Sequence, residues 1–443
     1  MKTTNLSKIV SNISWLLGDK LVDIILRITV GVLVARYLGP EWFGYLNYSL
    51  ALIAILAPLV KLGLVNIVVK YISLEPERSD EILGTAFTIQ LFSATLITLC
   101  VLWYFGIHTS DENVTNWLVS ILSVTLIFQC SELIAWWNQS QITSKYTVWS
   151  NRIAVFFGLG IKLALIQISA SFSLFVWAWV AQAAVKAYFL FHFYLKKNSF
   201  AKWKFNGKLA IELLKNSWPL LFASIASIIY LKIDMVMLGN MQSGREVGIY
   251  AAAVRISELL YFLPNIVAAT LLPTIIRSSK LNQEIFYGRI QALLDVLSIY
   301  SILLIAALFF GADVVVSTLF GNEYSDASLI LKIHAFALLF VAAGVARNKL
   351  LIAENQTIFI MVATILGAVS NILLNLYLIP RYSGAGAAVA TIVSYCLSSY
   401  LACLFWQPTL KHFRMISASF LVLLRPKSLI LFLISLLKHG KDT

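Results

Sequence analysis

Charged residues are scarce in this 443-residue chain: Asp, Glu, Lys and Arg make up 12% of it, against 60% hydrophobic residues. A soluble domain carries roughly 25% charged and about 45–50% apolar residues. The composition therefore excludes a soluble enzyme and a disordered chain. It predicts an integral membrane protein with many spans.

Cysteine and the common catalytic motifs are also rare or missing. The four cysteines have no CxxC spacing, which argues against a disulfide scaffold or a zinc site, and no other metal site is indicated. Residues 158–162 (GLGIK) fail the spacing of a GxxxxGK[ST] motif, and the sequence has no HExxH or GxSxG. We therefore expect no catalytic residues, which leaves a secondary transporter, a channel or a lipid flippase.

Long apolar runs dominate the chain. A helix needs about 20 mostly apolar residues to cross a bilayer core of roughly 30 Å, and these runs are too long for barrel strands. The predicted fold class is an all-α bundle of about twelve transmembrane helices. The twelve windows are 12–34, 42–66, 83–105, 114–137, 153–168, 174–194, 213–239, 248–274, 290–310, 328–346, 357–379 and 385–406.

The most basic segment divides the chain. We expect an N-terminal six-helix lobe over residues 1–195, a basic cytoplasmic linker over 196–212 and a C-terminal six-helix lobe over 213–410. Residues 411–443 form a basic tail whose two apolar runs are each too short to span a bilayer. The tail is expected in the cytoplasm or at the membrane surface, and a damaged thirteenth span is the alternative.

The basic residues are unevenly distributed between the loops. With the N-terminus inside, the cytoplasmic segments hold 22 Lys and Arg residues and the outside loops hold 3. Since basic loops favour the cytoplasmic side, both termini are predicted to be cytoplasmic. The windows hold the other 9 bases, together with 6 acids. Each such charge costs roughly 2.5–3.5 kcal/mol at mid-bilayer, so these residues are expected to line an aqueous cavity or to pair.

The first window carries the densest group of charges. Lys20, Asp23 and Arg27 fall within about 60° of arc on a helix. Two interpretations are open: a charged wall of a cavity, or an ion-paired cluster around Asp23.

Further charges occur in the second, seventh and eighth windows. Arg255 and Glu258 share a helix face, where they are able to pair. Lys232 and Asp234 lie about 200° apart and serve different surfaces. Together with Lys20 and Arg27, the residues expected to bind an anion are Lys61, Lys232 and Arg255.

Intramembrane acids are often functional. Those assigned to ion coupling or to charge pairing are Asp23, Glu132, Asp234, Glu258 and Asp295. No bound cofactor is expected apart from a coupling Na⁺ or H⁺. By contrast, Lys162, Lys186 and Lys332 are expected to snorkel towards the membrane surface.

The charge within the windows is net positive, with 9 bases against 6 acids. A net positive cavity attracts anions and repels the organic cations that multidrug exporters carry. Arg and Lys are natural ligands of phosphate groups. An anionic substrate is therefore favoured.

Proline and asparagine mark further positions. Pro58 and Pro264 lie mid-span in the second helix of each half, where they act as hinges or as static kinks. Asn371 and Asn375 are one helical turn apart. They are expected either to meet sugar hydroxyls or to make hydrogen bonds between helices.

Several stretches, taken in order, resemble a known family. They are VARYLGPEWFG (34–44), KID (232–234) with MLG (237–239), VGIY (247–250), LFGNEY (319–324) and GAGAAVAT (384–391). They resemble the polysaccharide flippases of the O-antigen, Wzx type, in the superfamily that also holds the MATE multidrug exporters. The likeness covers most of residues 1–406.

The resemblance implies a fold and a substrate. The fold would be two six-helix lobes in a V-shaped bundle, with alternating access driven by an ion gradient. The substrate would be an undecaprenyl-diphosphate-linked oligosaccharide, an O-antigen or related repeat unit, moved from the cytoplasmic to the periplasmic leaflet of a bacterial inner membrane. Polysaccharide polymerase machinery is an expected partner, and nucleic acid is not.

The resemblance also bears on the site and on the alternatives. Lipid II flippases keep cations in the first, second and eighth helices, where this chain has Lys20, Arg27, Lys61 and Arg255. A cation-coupled multidrug antiporter remains open, although the positive interior argues against it. A membrane glycan polymerase or ligase would need a larger outside segment than the longest predicted outside loop, 311–326.

Overall fold

The structure is a computed structural model that describes residues 3–107, 114–141, 143–196, 198–268, 271, 283–354 and 356–424. Within these ranges it describes the side chains except those of residues 3–25, 27, 107 and 424. All regular secondary structure in the described ranges is helical, as the composition predicts. The α-helices are α1 (Thr3–Lys61), α2 (Leu64–Leu74), α3 (Ser79–Ile107), α4 (Val114–Phe128), α5 (Glu132–Ser140), α6 (Lys145–Gln167), α7 (Phe172–Leu195), α8 (Gly207–Met241), α9 (Gly244–Leu259), α10 (Gln283–Phe320), α11 (Ala327–His334), α12 (Ala337–Ala353), α13 (Thr357–Ser399) and α14 (Leu410–Phe420).

Ten helical stretches among the described residues are long and apolar enough to cross a membrane. Two of them, Ile28–Leu74 and Thr357–Leu404, each contain two predicted windows, so the ten account for all twelve windows as far as the described residues reach. A straight helix of the 59 residues of α1 would measure about 88 Å, far more than a bilayer core. Gly39 interrupts it with a φ of 71° and a ψ of 170°. Ser383 interrupts α13 in the same way.

The chain forms two compact units, Met1–Leu221 and Phe222–Thr443. In the first unit α6 packs along α7, and α4 packs along α3. Between α1 and α2 the chain turns at Leu62 and Gly63, which both have positive φ. A Cβ at Gly63 would lie 2.5 Å from both Leu221 N and Ser217 O, so only glycine allows this turn to meet α8.

In the second unit α12 packs along α10 and α13, and α11 packs along α9. The expected outside loop 311–326 is wrong in length, because α10 continues to Phe320 and α11 begins at Ala327. Apolar residues from Val314 to Val316 allow the helix to continue. The connecting segment is thus limited to residues 321–326.

The predicted tail begins in an ordered helix. Helix α14 packs on α10, and the Ser298 hydroxyl donates to the Ser419 hydroxyl at 3.0 Å. His412, which is buried, contacts Glu354 through its Nε2 at 2.9 Å. Residues 425–443 of the tail lie outside the described residues.

Candidate functional site

Three charged side chains of the first unit meet around Glu132. Lys61 Nζ lies 2.7 Å from Glu132 Oε2, and Lys186 Nζ lies 2.7 Å from Glu132 Oε1. Both lysine side chains are 32% exposed and the glutamate side chain is 23% exposed. We call Lys61, Glu132 and Lys186 the lysine clamp. It is accessible from outside the protein core while its charges remain paired.

The lysine clamp lies where two helices lose α-helical geometry. Lys61 ends α1, immediately before the positive-φ residues Leu62 and Gly63. Glu132 begins α5, immediately after the 3₁₀ turn Gln129–Ser131. Irregular backbone within a membrane protein is tolerated where it is buried in protein or lines a polar cavity. The third member, Lys186, projects from the regular helix α7.

The snorkelling predicted for Lys162 and Lys186 is wrong, because each finds a partner within the protein. For Lys332 it stays a prediction, because its partner Asp313 is 67% exposed. Lys186 pairs with Glu132, and Lys332 Nζ lies 2.7 Å from Asp313 Oδ2. Lys162 is only 4% exposed. Its Nζ donates to Gln182 Oε1 at 3.0 Å.

The charged group of the first window cannot be placed in the same detail. Lys20, Asp23 and Arg27 belong to α1, but their side chains lie outside the described residues. Their assignments therefore remain predictions.

The second unit contains a buried carboxylate, Asp234, that accepts hydrogen bonds from two other helices. Tyr250 on α9 donates its hydroxyl to Asp234 Oδ2 at 2.8 Å. Thr391 on α13 donates to the same oxygen. Asn375 Nδ2, also on α13, donates to Asp234 Oδ1 at 2.7 Å and to Asn371 Oδ1 at 3.0 Å. We call these five residues the Asp234 cluster.

The Asp234 cluster is rich in oxygen atoms. Hydrogen-bond donors from three side chains compensate the charge of the buried carboxylate. Two polar atoms of the cluster, Asn375 Oδ1 and Asn371 Nδ2, are buried without a hydrogen-bond partner among the described residues. Carboxylate, amide and hydroxyl oxygens are the donors that hard cations prefer. The residues present therefore fit a small hard cation.

The remaining sequence-predicted residues of the second unit lie in other environments. Lys232 Nζ is 3.5 Å from Glu258 Oε2, so Lys232 and Asp234 do serve different surfaces. Arg255 is partly buried on α9. Asp295 is buried on α10, where it accepts a hydrogen bond from Gln291 Nε2 at 2.8 Å, outside the Asp234 cluster.

Each of the two prolines assigned as hinges is close to a helix interruption. Pro58 lies one turn before the break at Leu62, whose N–H donates to Pro58 O at 2.8 Å. Pro264 follows the turn at residues 260–261 that ends α9.

Three residues of these sites were missed in the sequence. Tyr250 and Thr391 are the last residues of two stretches that carried the family resemblance. The resemblance pointed to these positions but assigned them no function. Lys186 had no local signal, because its partner Glu132 is 54 residues away along the chain.

The comparisons with known proteins agree with this fold. Residues 9–279 match the family described as polysaccharide biosynthesis protein. A probable low-salt glycan biosynthesis flippase of Haloferax volcanii is 26% identical over 83% of this chain and 77% of its own length. The capsular polysaccharide biosynthesis protein CapF of Staphylococcus aureus is 21% identical over 87% of this chain and 96% of its own length.

The fold of this chain also resembles the folds of solved structures. The lipid II flippase MurJ in an inward closed conformation matches with a TM-score of 0.72 and 17% identity, over 92% of this chain and 90% of that one. An inward-facing MATE family multidrug transporter matches with a TM-score of 0.70 and 13% identity, over 89% of this chain and 94% of that one. With the family match over more than half of its residues, the chain belongs to the polysaccharide biosynthesis protein family and is a multi-pass membrane protein with the fold of the MurJ and MATE transporters.

Proposed function

We propose that this protein is a flippase, not an enzyme, and that it moves a polyprenyl-diphosphate-linked oligosaccharide across the membrane by alternating access. The observation that carries the proposal is the lysine clamp, in which two lysines converge on one carboxylate, each at 2.7 Å, within candidate membrane spans. Cations held in that position suit a phosphate-bearing substrate. The glycan-pathway relatives support the oligosaccharide.

Physical chemistry explains why such a substrate needs a protein. A diphosphate and several sugars cannot cross hydrocarbon unaided, because charged and polar groups are costly to transfer without partners. Basic side chains replace the water around the diphosphate, while the polyprenyl tail stays in the lipid. The bases assigned to this role are Lys20, Arg27, Lys61, Lys232 and Arg255. The carrier is proposed to be undecaprenyl, and the cargo an O-antigen or related repeat unit.

The coupling ion, Na⁺ or H⁺, is proposed to bind at the Asp234 cluster. Asp234, Thr391 and Asn375 would hold a sodium ion, and Asp234 alone would hold a proton. Because α8, α9 and α13 meet at this carboxylate, ion binding would change how these helices are held together. If the ion binds one conformation more tightly than another, the ion gradient shifts the equilibrium between the two conformations.

A cation-coupled multidrug antiporter is the second candidate, since the MATE fold matches this chain with a TM-score of 0.70. The lysine clamp argues against it, because two lysines and one glutamate give this group a net positive charge, which repels an organic cation. A membrane glycan polymerase or ligase has less support, because only residues 321–326 separate α10 from α11 at the longest predicted outside loop.

The orientation and the partners are also proposals. The charge bias of the loops supports a cytoplasmic location for both termini. The membrane is proposed to be the inner membrane of a bacterium. The polysaccharide polymerase machinery would consume the units on the outer side.

Deletion of the gene tests the proposed function. In a strain without a paralogue, the lipid-linked units should accumulate in the cytoplasmic leaflet, and the intact gene should restore export. Normal export in the deletion strain would contradict the flippase function. Accumulation of single exported units would favour a polymerase or ligase, and new drug sensitivity without trapped units would favour the antiporter.

A further inference from the structure

The contact geometry of Glu132 resembles that of a bound phosphate group. Each of its two oxygens takes one lysine ammonium at 2.7 Å, with Lys61 on Oε2 and Lys186 on Oε1. A phosphate group also presents two oxygens to two cations in this bidentate manner. We infer that Glu132 is an internal substitute for the substrate's diphosphate, and that Lys186 is a diphosphate ligand alongside Lys61. This inference rests on the proposed function.

The charges of the lysine clamp determine how strongly an anion must bind to displace Glu132 from the two lysines. With Glu132 in place, the clamp has one net positive charge, and neither lysine is free for a weak anion. A headgroup that displaces Glu132 must interact with both lysines more strongly than one carboxylate does. A phosphodiester of an ordinary phospholipid brings one negative charge, whereas a lipid-linked diphosphate brings more. Glu132 therefore selects for diphosphate over the abundant phospholipids of the bilayer.

The structure also indicates which member moves. Lys186 lies within the continuous helix α7, where its backbone is fixed by regular hydrogen bonding. Lys61 and Glu132 lie at the ends of helical segments, next to a positive-φ turn and a 3₁₀ turn respectively. A 3₁₀ stretch between helical segments often marks a functional hinge. Lys186 is thus the fixed ligand, and Glu132 swings away when a diphosphate enters.

The partial exposure of the clamp side chains allows a diphosphate to replace Glu132. At 23–32% exposure they are neither sealed in the core nor fully hydrated. A fully buried ion pair would resist opening because of the cost of an unpaired buried charge. Partial exposure lets solvent stabilise the Glu132 carboxylate after it leaves the lysines.

Binding to the purified full-length protein in phosphatidylcholine nanodiscs tests this inference. The probes are geranylgeranyl diphosphate and phosphatidylglycerol, compared in the wild type and in Glu132→Gln, Lys186→Met and Glu132→Gln/Lys186→Met. We expect Glu132→Gln to bind the diphosphate about tenfold more tightly and to gain phosphatidylglycerol binding. Lys186→Met should bind the diphosphate about tenfold more weakly, and the double variant should lie between the two single variants. Lys332→Met, which removes a lysine paired elsewhere with Asp313, should bind like the wild type.

Two results would overturn the inference: unchanged or weaker diphosphate binding in Glu132→Gln, or unchanged binding in Lys186→Met. If Glu132→Gln does not fold, a double variant that binds the diphosphate no more tightly than Lys186→Met would overturn it as well. The proposed function fails separately, when the deletion strain exports its lipid-linked units normally. If the purified variants bind the diphosphate as expected but the deletion strain exports normally, the lysine clamp is an anion site with no role in transport.

Discussion

The hydroxyl of Tyr250 donates a hydrogen bond to Asp234 Oδ2 at 2.8 Å, deep in the second unit. The residues come from α9 and α8, and Thr391 of α13 binds the same carboxylate oxygen. A buried carboxylate without partners would cost several kcal/mol. The side chains from α9 and α13 therefore make the charge of Asp234 tolerable and tie three helices together.

The Asp234 cluster predicts a transport defect for Asp234→Asn. An amide cannot accept hydrogen bonds in place of both carboxylate oxygens, and it carries no charge for a cation. We expect ion-driven transport to fall at least about tenfold, equivalent to about 1.4 kcal/mol in the barrier. Initial transport rates in vesicles with an imposed Na⁺ or H⁺ gradient measure this effect.

The matched control is Asp313→Asn, which removes a carboxylate from the same unit at the exposed pair with Lys332. This variant should keep wild-type transport. Equal rates for Asp234→Asn and Asp313→Asn, at equal protein abundance, would remove the Asp234 cluster from the coupling mechanism.

The sequence anticipated some of this site and not the rest. Asp234 was one of five intramembrane acids assigned to ion coupling or charge pairing, and Asn371 and Asn375 were expected on one helix face. The hydrogen bond from Asn375 to Asp234 shows that this face serves contact between helices. That Tyr250 and Thr391 reach the same carboxylate depends on packing between residues 141 positions apart, which no local pattern encodes.

A second prediction concerns the arginines assigned to substrate binding. Arg27→Ala and Arg255→Ala should each reduce export of lipid-linked oligosaccharide while leaving protein abundance unchanged, because each removes a bidentate phosphate donor. Arg381→Ala is the control, since Arg381 lies over the Tyr377 ring, 3.7 Å from its centroid. Full export in both variants would exclude these arginines from the site.

A third prediction concerns the docking of α14. Burial raises the pKa of Glu354, but the hydrogen bond from His412 and further partners lower it by more, so this pKa lies below its ordinary value. A lowered pKa stabilises the docked state above the ordinary glutamate pKa of about 4.3, and this stabilisation is lost as the pH falls through the lowered value. The hydrogen-exchange protection factors of residues 410–420, which correct for the intrinsic slowing of exchange in acid, should therefore fall at acidic pH.

The variant Glu354→Gln should show these lower protection factors already at neutral pH and lose most of their pH dependence. If exchange in residues 410–420 is the same in both proteins across the pH range, Glu354 does not hold this helix.

A fourth prediction separates two glycines. Gly63→Ala places a Cβ 2.5 Å from Leu221 N and Ser217 O at a φ of 67°, so it should lower the free energy of unfolding by more than about 1 kcal/mol. Gly160→Ala meets nothing within 4 Å in the helix α6. It should be neutral or stabilising by up to about 1 kcal/mol. Thermal unfolding in detergent compares the two variants, and equal melting temperatures would contradict the close contact at Gly63.

The spans were more predictable than their connections. Apolar length alone located the ten candidate spans among the described residues, because a bilayer requires about 20 apolar residues whatever the fold. It could not show that α10 continues to Phe320 or that α14 packs on α10, since both depend on tertiary contacts. Apolar length also could not show that Lys186 pairs with Glu132 instead of snorkelling, because that pair depends on a tertiary contact.

The central claim is that this protein moves lipid-linked oligosaccharide across a bilayer, and reconstitution tests it most directly. Proteoliposomes with a fluorescent polyprenyl-diphosphate oligosaccharide in both leaflets are treated with a membrane-impermeant reagent that destroys the exposed label. With active protein and an ion gradient, the account predicts that nearly all label becomes accessible, whereas protein-free liposomes keep about half. Equal protection in the two preparations would contradict the account.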